Sequence, residues 1–444
     1  MSGVSSPMTQ GDYSELRITE EIQNMIRKYD TNWRTNSAAR MSGPQTTRES
    51  VVITGSTGGL GSYLLLTLLK DANVDKIWAL NRRSRDGRLG AKERQNAAFK
   101  QKLIEVDLLD HPKLSLLETD LQIGGLGLTE EVYSEIQAQA TTIVHNAWQV
   151  DFNLTLQSFE PSINATNNLL KLAFNSTAST GPPRFLFVSS VSAAGFGRSE
   201  GLLHENDLPL EYGVHNIGYG RSKLVAEKLL ESAQAAGLET CIVRLGQLVG
   251  DKRSGAWSVK DWVPAIIASS VSIGCLPHTM GHTSWIPLDR AALAIHEVYV
   301  DRSVTMPTVI HCAHPRPIPW SDMVKMFDRA LRLCVAHVTN FEVVPFSEWN
   351  QRITRAAATF GGSEAEKARR YPSSKIQDMV DQMVQYANST ETNGSTASRE
   401  MGGIVALDMT QALALSRTLR SVESLDQQYV DKWIMYWQAN GLFV

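Results

Sequence analysis

Apolar positions along most of the chain alternate between two kinds of segment. Short runs rich in β-branched residues are followed by longer stretches in which apolar residues recur at the spacing of an amphipathic helix. The first such pair is Ser50–Thr54 with Leu60–Lys70, and the second is Lys76–Leu80 with Gly90–Leu103. Regular alternation of strand and helix predicts an α/β fold with a Rossmann-type, doubly wound parallel sheet.

The alternation continues to about residue 250 and defines three regions. Further buried-strand candidates are Leu114–Leu117, Thr141–Val144, Phe185–Val188 and Thr240–Val243. Before the first strand lie an amphipathic helix and a polar linker, residues 1–49. Residues 50–250 are expected to form the Rossmann domain. Residues 251–444, with mixed helices and proline-rich turns, predict mainly a smaller, mostly helical C-terminal substrate subdomain, or cap.

Composition excludes several classes of function. The 444 residues carry 43 Lys plus Arg against 46 Asp plus Glu, so no strong field favours nucleic acid or an anionic membrane. The four cysteines form no Cys-x-x-Cys pair, which argues against a zinc ribbon or a disulfide framework, and we expect no metal. The N-terminus lacks an apolar leader, and no stretch approaches the ~20 apolar residues of a membrane span. A cytoplasmic chain is expected.

A glycine-rich turn follows the first predicted strand. Gly55 permits a tight turn, Gly58 lets the backbone approach a pyrophosphate, and Gly61 lets the helix pack on the strand. The whole loop is a candidate cofactor site: Gly55, Ser56, Thr57, Gly58, Gly59, Leu60 and Gly61. The similar run Gly124–Gly127 lacks an apolar strand before it and a long apolar helix behind it, so we interpret it as an ordinary loop.

The residues after the second strand indicate which dinucleotide is bound. About 20 residues beyond the glycine loop, an acidic residue typically binds the ribose of NAD, whereas arginine accepts the extra phosphate of NADP. Here the chain has Asn81, Arg82 and Arg83 and no carboxylate. Two guanidinium groups can bind a phosphate through charge-assisted hydrogen bonds, so NADPH is predicted as the cofactor.

A tyrosine and a lysine four residues apart predict the reactive centre. Tyr219 and Lys223 lie on one helix face, after a strand that ends in the hydroxyl residues Ser189 and Ser190. Such an arrangement can protonate an oxyanion as hydride reaches carbon. The spacing also occurs at Tyr371–Lys375, but no buried strand ending in hydroxyl residues precedes that pair, so we interpret it as structural.

Taken together, these motifs resemble extended short-chain dehydrogenase/reductases, and within them the terminal thioester reductase (R) domains of nonribosomal peptide synthetases, carboxylic acid reductases and aminoadipate reductases. The resemblance is carried by the glycine loop, Asn81-Arg82-Arg83, Asp120-Leu121 before Gly127-Leu128-Thr129, His145-Asn146-Ala147, Phe187-Val188-Ser189-Ser190, Tyr219-Gly220-Arg221-Ser222-Lys223 and Arg244-Leu245-Gly246-Gln247. It spans residues 51–250 and continues more weakly through the cap.

The resemblance implies roles for individual residues. Ser190, Tyr219 and Lys223 would be catalytic, although Ser189 is an alternative to Ser190 by one position of register. The implied cofactor contacts, besides the loop, the two arginines and the reactive pair, are Asn81, Asp120, Leu121, Asn146, Ala147, Gly246 and Gln247. A second Asp-Leu pair, Asp107-Leu108, competes for the adenine contact, but the preceding strand is better placed before Asp120.

The implied function is NADPH-dependent reductive release of an acyl thioester from an upstream carrier domain, giving an aldehyde or, after a second hydride, an alcohol. The chain would then be a monomeric domain of a larger synthetase. Two alternatives remain: an NAD-dependent sugar-nucleotide epimerase or dehydratase on the same fold, and a non-catalytic NADP-sensing protein. Aromatic side chains that would line a substrate channel or pack the cap are Trp148, Tyr212, His215, Trp257, Trp262 and Trp285.

Overall fold

A computed structural model describes residues 10–30, 33, 48–84, 87–195, 202–335, 340–392, 400–401, 403 and 406–443, with backbone only at 10–14 and 389–392. Most of the predicted linker therefore lies outside the described residues. None of the described helices is long and apolar enough to cross a membrane.

The elements up to the sixth strand of the large sheet alternate as the hydrophobic pattern predicts. In chain order they are α1 (Gln10–Tyr29), β1 (Glu49–Thr54), α2 (Gly59–Lys70), β2 (Val74–Arg82), α3 (Ala91–Gln101), β3 (Leu114–Thr119), α4 (Glu130–Gln139), β4 (Thr142–His145), α5 (Glu160–Phe174), β5 (Arg184–Ser190), β6 (Leu202–Leu203), α6 (Gly218–Ala235) and β7 (Thr240–Leu245).

The remaining elements are mostly helices joined by very short strands. They are β8 (Leu248–Val249), α7 (Trp262–Ile273), β9 (Cys275–His278), β10 (His282–Thr283), β11 (Ile286–Pro287), α8 (Leu288–Val300), β12 (Val309–Cys312), β13 (Ile318–Pro319), α9 (Trp320–Cys334), β14 (Glu342–Pro345), α10 (Phe346–Ala358), α11 (Glu364–Arg370), α12 (Gln377–Thr392), β15 (Ala406–Leu407), α13 (Thr410–Leu415), α14 (Arg417–Ser421) and α15 (Gln427–Ala439).

Seven strands form one parallel sheet in the order β12-β7-β5-β4-β1-β2-β3. The predicted Rossmann-type fold is confirmed. The strand order reverses between β1 and β4, which opens a crevice at the carboxyl ends of these strands where such folds bind ligands. Thr54 and His145, the last residues of β1 and β4, face each other in register at this crevice.

The sheet separates two apolar layers because successive side chains of a strand point to opposite faces. Val51 and Ile53 of β1 pack with α2 and α8 on one face, whereas Val52 packs with α5 and α6 on the other. Helix α1 joins the second layer through Ile22, which is fully buried, and Met25. The N-terminal helix is therefore part of the packed unit rather than a separate element.

The cap forms its own core around tryptophan. Six tryptophan side chains meet there ring against ring: Trp257, Trp262, Trp285, Trp320, Trp433 and Trp437. The division expected at residue 250 does not follow the sheet, because α8 packs on α2 and β12 pairs with β7. Residues 286–312 thus return to the Rossmann unit, a crossover that their short apolar runs did not reveal.

Candidate active site

The glycine loop between β1 and α2 is built by close backbone contacts. Gly55 has φ of 72° and donates its N–H to the Leu80 carbonyl at 3.2 Å. A Cβ on Gly61 would lie 2.0 Å from the Gly55 carbonyl oxygen, so only glycine permits this approach of helix and loop. Gly58 caps α2 without any side-chain hydrogen bond. The first N–H groups of α2 therefore lie at the crevice with the positive end of the helix dipole.

Ser56 and Asn81 support this loop from inside. Both are buried, and Asn81 Nδ2 donates to Ser56 Oγ at 2.7 Å. Ser56 Oγ in turn donates to Gln95 Oε1 at 2.7 Å, and Gln95 Nε2 donates back to the Ser56 carbonyl at 3.1 Å. Asn81 and Ser56 thus fix the loop to β2 and α3 with their side chains, and Gln95, which the sequence did not single out, completes the set.

The opposite wall of the crevice is held by the last residue of β1. Thr54 Oγ1 accepts the backbone N–H groups of Asn146 at 3.1 Å and Ala147 at 2.9 Å. Asn146 Nδ2 reaches back to the Gly55 carbonyl at 3.2 Å, and a Cβ on Gly55 would lie 2.9 Å from Ala147 Cα. Asn146 and Ala147 therefore lie directly against the glycine loop, as expected of residues along a cofactor crevice.

The two arginines at the carboxyl end of β2, Arg82 as its last residue and Arg83 directly after it, lie at the rim of the crevice. Arg82 and Arg83 are exposed, and neither forms an ion pair within the described part of the chain. Arg94 of α3 joins them, since its Nη1 donates to the Arg82 carbonyl at 2.7 Å while its Nη2 pairs with Glu118. This rim carries guanidinium groups available to a phosphate, and Arg94 was missed because it lies twelve residues further along, on the neighbouring helix.

Asp120 and Leu121 follow β3 on the same edge of the sheet. The Asp120 N–H donates to the Leu126 carbonyl at 3.1 Å, and the Leu121 carbonyl accepts Asn168 Nδ2 at 2.9 Å. The loop Gly124–Gly127 thus closes onto Asp120 rather than forming a phosphate turn. The competing pair at Asp107 lies in a short 3-10 helix that precedes β3.

Ser190 and Tyr219 come together at the carboxyl end of β5. The Ser190 side chain lies near enough to the Tyr219 hydroxyl to lower its pKa, and Ser190 Oγ accepts the Ser192 N–H at 3.1 Å. Ser189, the alternative by one register position, is buried and donates instead to Glu227. Ser189 lies on the face of β5 that packs on α6, whereas Ser190 ends the strand and caps the following 3-10 turn, which α6 contacts near its start. The described geometry places Ser190 there.

Lys223 lies one helical turn beyond Tyr219 in an aromatic enclosure. It is 2% exposed, and its Nζ donates to the Val188 carbonyl at 2.7 Å. The same atom lies 4.2 Å from the ring centroid of Trp148 and 4.6 Å from that of Phe187, within cation–π range. Burial lowers the pKa of Lys223 well below its ordinary value, while the nearby Glu227 carboxylate opposes that shift. Trp148 thus contacts Lys223.

Tyr219 is kept protonated by its surroundings. Burial raises its pKa to about 12, the Ser190 side chain opposes this, and the negative charge of Asp261 adds to it. Phe152 and Phe159 pack edge-on against the ring at 5.4 and 6.0 Å between centroids. At neutral pH the phenol is therefore a proton donor and not a phenolate.

Asp261 belongs to the cap and was missed by the sequence analysis, because no motif marks it. Its carboxylate accepts Trp257 Nε1 at 2.9 Å, the Trp262 N–H at 2.8 Å and Gln247 Nε2 at 3.2 Å. Gln247, predicted as a cofactor contact, thus links the strand end to the cap. Its neighbour Gly246 donates its N–H to the Cys312 carbonyl at 3.0 Å.

Three other candidates lie elsewhere. Tyr371 packs edge-on against Phe360 in the cap core, and Lys375 is exposed on a short 3-10 turn. His215 pairs with Glu15 of α1 at 2.9 Å. Of the six aromatic candidates, Trp257, Trp262 and Trp285 belong to the cap core, although Trp257 and Trp262 also bind Asp261.

This geometry can be compared with known proteins. Residues 53–295, more than half of the chain, match the family described as Male sterility protein, whose members are NAD-binding domains. The chain belongs to this family. A nicotinamide cofactor follows from that membership. Its site agrees with the residues present, since no side chain caps the start of α2 and its first backbone N–H groups can donate to a pyrophosphate.

A curated relative extends the likeness over the whole chain. The adenylate-forming reductase Nps11 of Serpula lacrymans var. lacrymans (strain S7.9) is 34% identical over 99% of this chain. The chain spans only 40% of the length of that relative. It is thus similar to one region of a larger reductase.

Solved structures show the same fold. The terminal R domain of the myxalamid PKS-NRPS pathway superposes with a TM-score of 0.74 at 22% identity, covering 96% of this chain and 98% of that domain. A thiolation-reductase di-domain from an archaeal nonribosomal peptide synthetase gives a TM-score of 0.66 at 17% identity, covering 96% and 80% of the two chains. The predicted resemblance to R domains is thus confirmed at the level of the fold.

Proposed function

We propose that the chain is an NADPH-dependent reductase that releases a carrier-bound acyl thioester as an aldehyde. The observation that carries the proposal is the contact of a protonated Tyr219 with Ser190 beside buried Lys223, at the crevice that the glycine loop borders. The names of the similar proteins, an adenylate-forming reductase and a terminal R domain, support the same chemistry.

In the proposed reaction Ser190 and Tyr219 bind the carbonyl oxygen of the thioester through their hydroxyl groups. Bound NADPH supplies a hydride to the carbonyl carbon. Tyr219 donates its proton to the oxygen, because a phenol with a pKa near 12 is protonated before the reaction and the substrate oxygen becomes a strong base as negative charge develops on it. The resulting hemithioacetal loses the carrier thiol and leaves the aldehyde.

Lys223 has two tasks in this proposal. Its ammonium group, one turn from Tyr219, offsets the negative charge left on the phenolate after proton transfer. It also anchors α6 to β5 through the Val188 carbonyl, which keeps Tyr219 at the strand end. The aromatic faces of Trp148 and Phe187 stabilise the ammonium, which burial otherwise penalises.

The preference for NADPH over NADH is part of the proposal. The rim after β2 offers Arg82 and Arg83, both exposed, with Arg94 beside them, and places no carboxylate at the residues that directly follow the strand. Guanidinium groups bind a phosphate monoester bidentately, whereas an adenosine ribose without phosphate gives them no anion.

The partner is proposed to be a carrier domain that precedes this chain. The solved di-domain joins a thiolation unit to a reductase in one chain, and the curated relative is much longer than this chain. Helix α1 packs against α5 and α6. A carrier attached before α1 would therefore be tethered to the helix that holds Tyr219.

The proposal is tested with an acyl-pantetheine thioester and either NADPH or NADH. We expect consumption of NADPH with release of one free thiol and one aldehyde per turnover, and much slower consumption of NADH. Absence of NADPH oxidation with thioesters, including one on the native carrier, contradicts the function. Equal rates with both cofactors contradict only the cofactor preference. Tightly bound NAD released on denaturation would favour the sugar-nucleotide alternative instead.

A further inference from the structure

Helix α6 contacts the end of β5 through three side chains at successive four-residue steps, which share one helix face. These contacts are Tyr219 with Ser190, Lys223 with the Val188 carbonyl, and Glu227 with Ser189. The first two belong to the site described above. In the third contact both side chains, Glu227 and Ser189, are buried, and neither has a part in the proposed reaction.

Glu227 is held in turn by Arg244 of β7, the neighbouring strand. Arg244 Nη2 donates to Glu227 Oε2 at 2.8 Å, and its Nε lies 3.2 Å from both carboxylate oxygens. Both side chains are 0% exposed. Arg244 Nη1 also donates to the Asn206 carbonyl at 2.8 Å. Glu227 therefore has a fixed position between two strands and one helix.

We propose that Glu227 and Ser189 are positioning residues that aim Ser190 at Tyr219. The hydrogen bond to Glu227 fixes Ser189 on the face of β5 that packs on α6, and this contact also fixes the direction in which the next residue, Ser190, leaves the end of the strand. A one-residue slip or a twist of this strand end would move the Ser190 hydroxyl away from Tyr219. The inference rests on the proposed function, because it concerns the geometry of the reducing site.

Glu227 also acts on the charge of the site. It is the anion beside Lys223, and its charge opposes the lowering of the Lys223 pKa by burial. Within the described residues, further charged groups near the two are Glu231 and its ion-pair partner Lys228 on α6, Asp207 beside Glu231, and Arg244 on β7. His145 also faces Lys223, but burial lowers its pKa to about 3, so it stays neutral.

The experiment compares Glu227→Gln and Ser189→Ala with the unchanged chain in thioester reduction. For each we expect kcat to fall on the order of 10²-fold, the size of effect that about 1 Å of misplacement can produce, with unchanged KM for the thioester and unchanged Kd for NADPH. Glu227→Gln leaves Arg244 unpaired near Lys223 and should move the alkaline limb of kcat to lower pH. Ser189→Ala keeps all charges and should leave that limb in place.

Glu49→Gln is the matched control. Glu49 is a buried carboxylate paired with Arg302 at 2.6 Å, but it lies at the amino end of β1, whereas the site lies at the carboxyl ends of the strands. Its loss should lower stability without changing kcat or the pH limb. The inference is overturned if Ser189→Ala keeps the kcat of the unchanged chain. It is also overturned if kcat falls in all three variants in proportion to their loss of stability. Should Glu227→Gln fail to fold, Ser189→Ala decides. A wild-type chain that reduces no thioester refutes the proposed function instead.

Discussion

The chain contains the spacing Tyr-x-x-x-Lys twice. The two regions share this spacing and a buried tyrosine, but they differ in backbone conformation and in the exposure of the lysine. Tyr219 and Tyr371 are both 7% exposed. Tyr219 lies within the first turn of an 18-residue helix, so Lys223 follows on the same face. Tyr371 ends α11 with φ of −124° and precedes Pro372, so Lys375 lies on a separate turn and is exposed.

The comparison shows that this spacing brings a tyrosine and a lysine together only where both residues lie on one continuous helix. A buried lysine needs compensation, and Lys223 receives it from a carbonyl, two aromatic faces and Glu227. Lys375 needs none because water solvates it. The following substitutions test this distinction, in order of decreasing expected effect.

Tyr219→Phe should cause the largest loss. It removes the proton donor but keeps the ring that packs on Phe152, so kcat for thioester reduction should fall on the order of 10³-fold with little change in stability. Tyr371→Phe, matched in chemistry and burial, should leave kcat unchanged. Steady-state kinetics of both variants measure the difference, and equal losses would refute the distinction between the two regions.

Lys223→Met should lower kcat on the order of 10²-fold, because the positive charge near the developing phenolate is lost while the stem is retained. Lys375→Met should have no effect. In the unchanged chain, kcat should fall as the pH rises through the pKa of Lys223, which burial places below its ordinary value of 10.5. A pH profile that stays flat to pH 10.5 would contradict this account of Lys223.

Replacing Arg82 and Arg83 together by alanine sharpens the comparison from the cofactor side, since both arginines are exposed and lie outside the reactive centre. Loss of charge-assisted bonds worth about 2 kcal/mol should weaken NADPH binding roughly 30-fold. NADH binding should change little. Titration of each cofactor by fluorescence measures both values, and an equal loss for the two cofactors would refute the phosphate contact.

Trp148→Leu should have the smallest effect. It keeps an apolar neighbour for Lys223 but removes a cation–π contact worth about 1 kcal/mol, so kcat should fall roughly fivefold. The alkaline limb of the pH profile should move to lower pH, because the ammonium loses a stabilising neighbour. A limb that moves to higher pH would show that Trp148 does not stabilise the charged form.

The sequence predicted the parallel sheet and its strand-to-helix order because buried parallel strands and amphipathic helices leave periodic apolar patterns. It also predicted a helix over residues 60–70 and a glycine loop before it, both observed. It did not predict that α8 and β12 belong to the Rossmann unit, because these segments follow cap elements that interrupt the alternation of strand and helix.

Within the site, residues that share a short motif could be predicted from the sequence, whereas residues that only the fold brings near each other could not. Asp261 lies more than forty residues beyond Tyr219, and its charge acts on Tyr219 only because the fold brings the start of α7 near that side chain. The position of Glu227, four residues after Lys223, weakly indicated that it shares the helix face of Tyr219 and Lys223. The choice between Ser189 and Ser190 required the orientation of β5, which apolar periodicity defines only to within one residue.

The central claim is hydride transfer from NADPH to a thioester carbonyl, with Tyr219 as the proton donor. It is tested most directly by reducing an acyl-pantetheine thioester with NADPH that carries deuterium in the transferable position, followed by mass spectrometry of the products. The account predicts an aldehyde with one deuterium on its carbonyl carbon, one free thiol, and almost none of either product from Tyr219→Phe. An unlabelled carboxylic acid as the only product, or a labelled aldehyde formed equally fast by Tyr219→Phe, would contradict it.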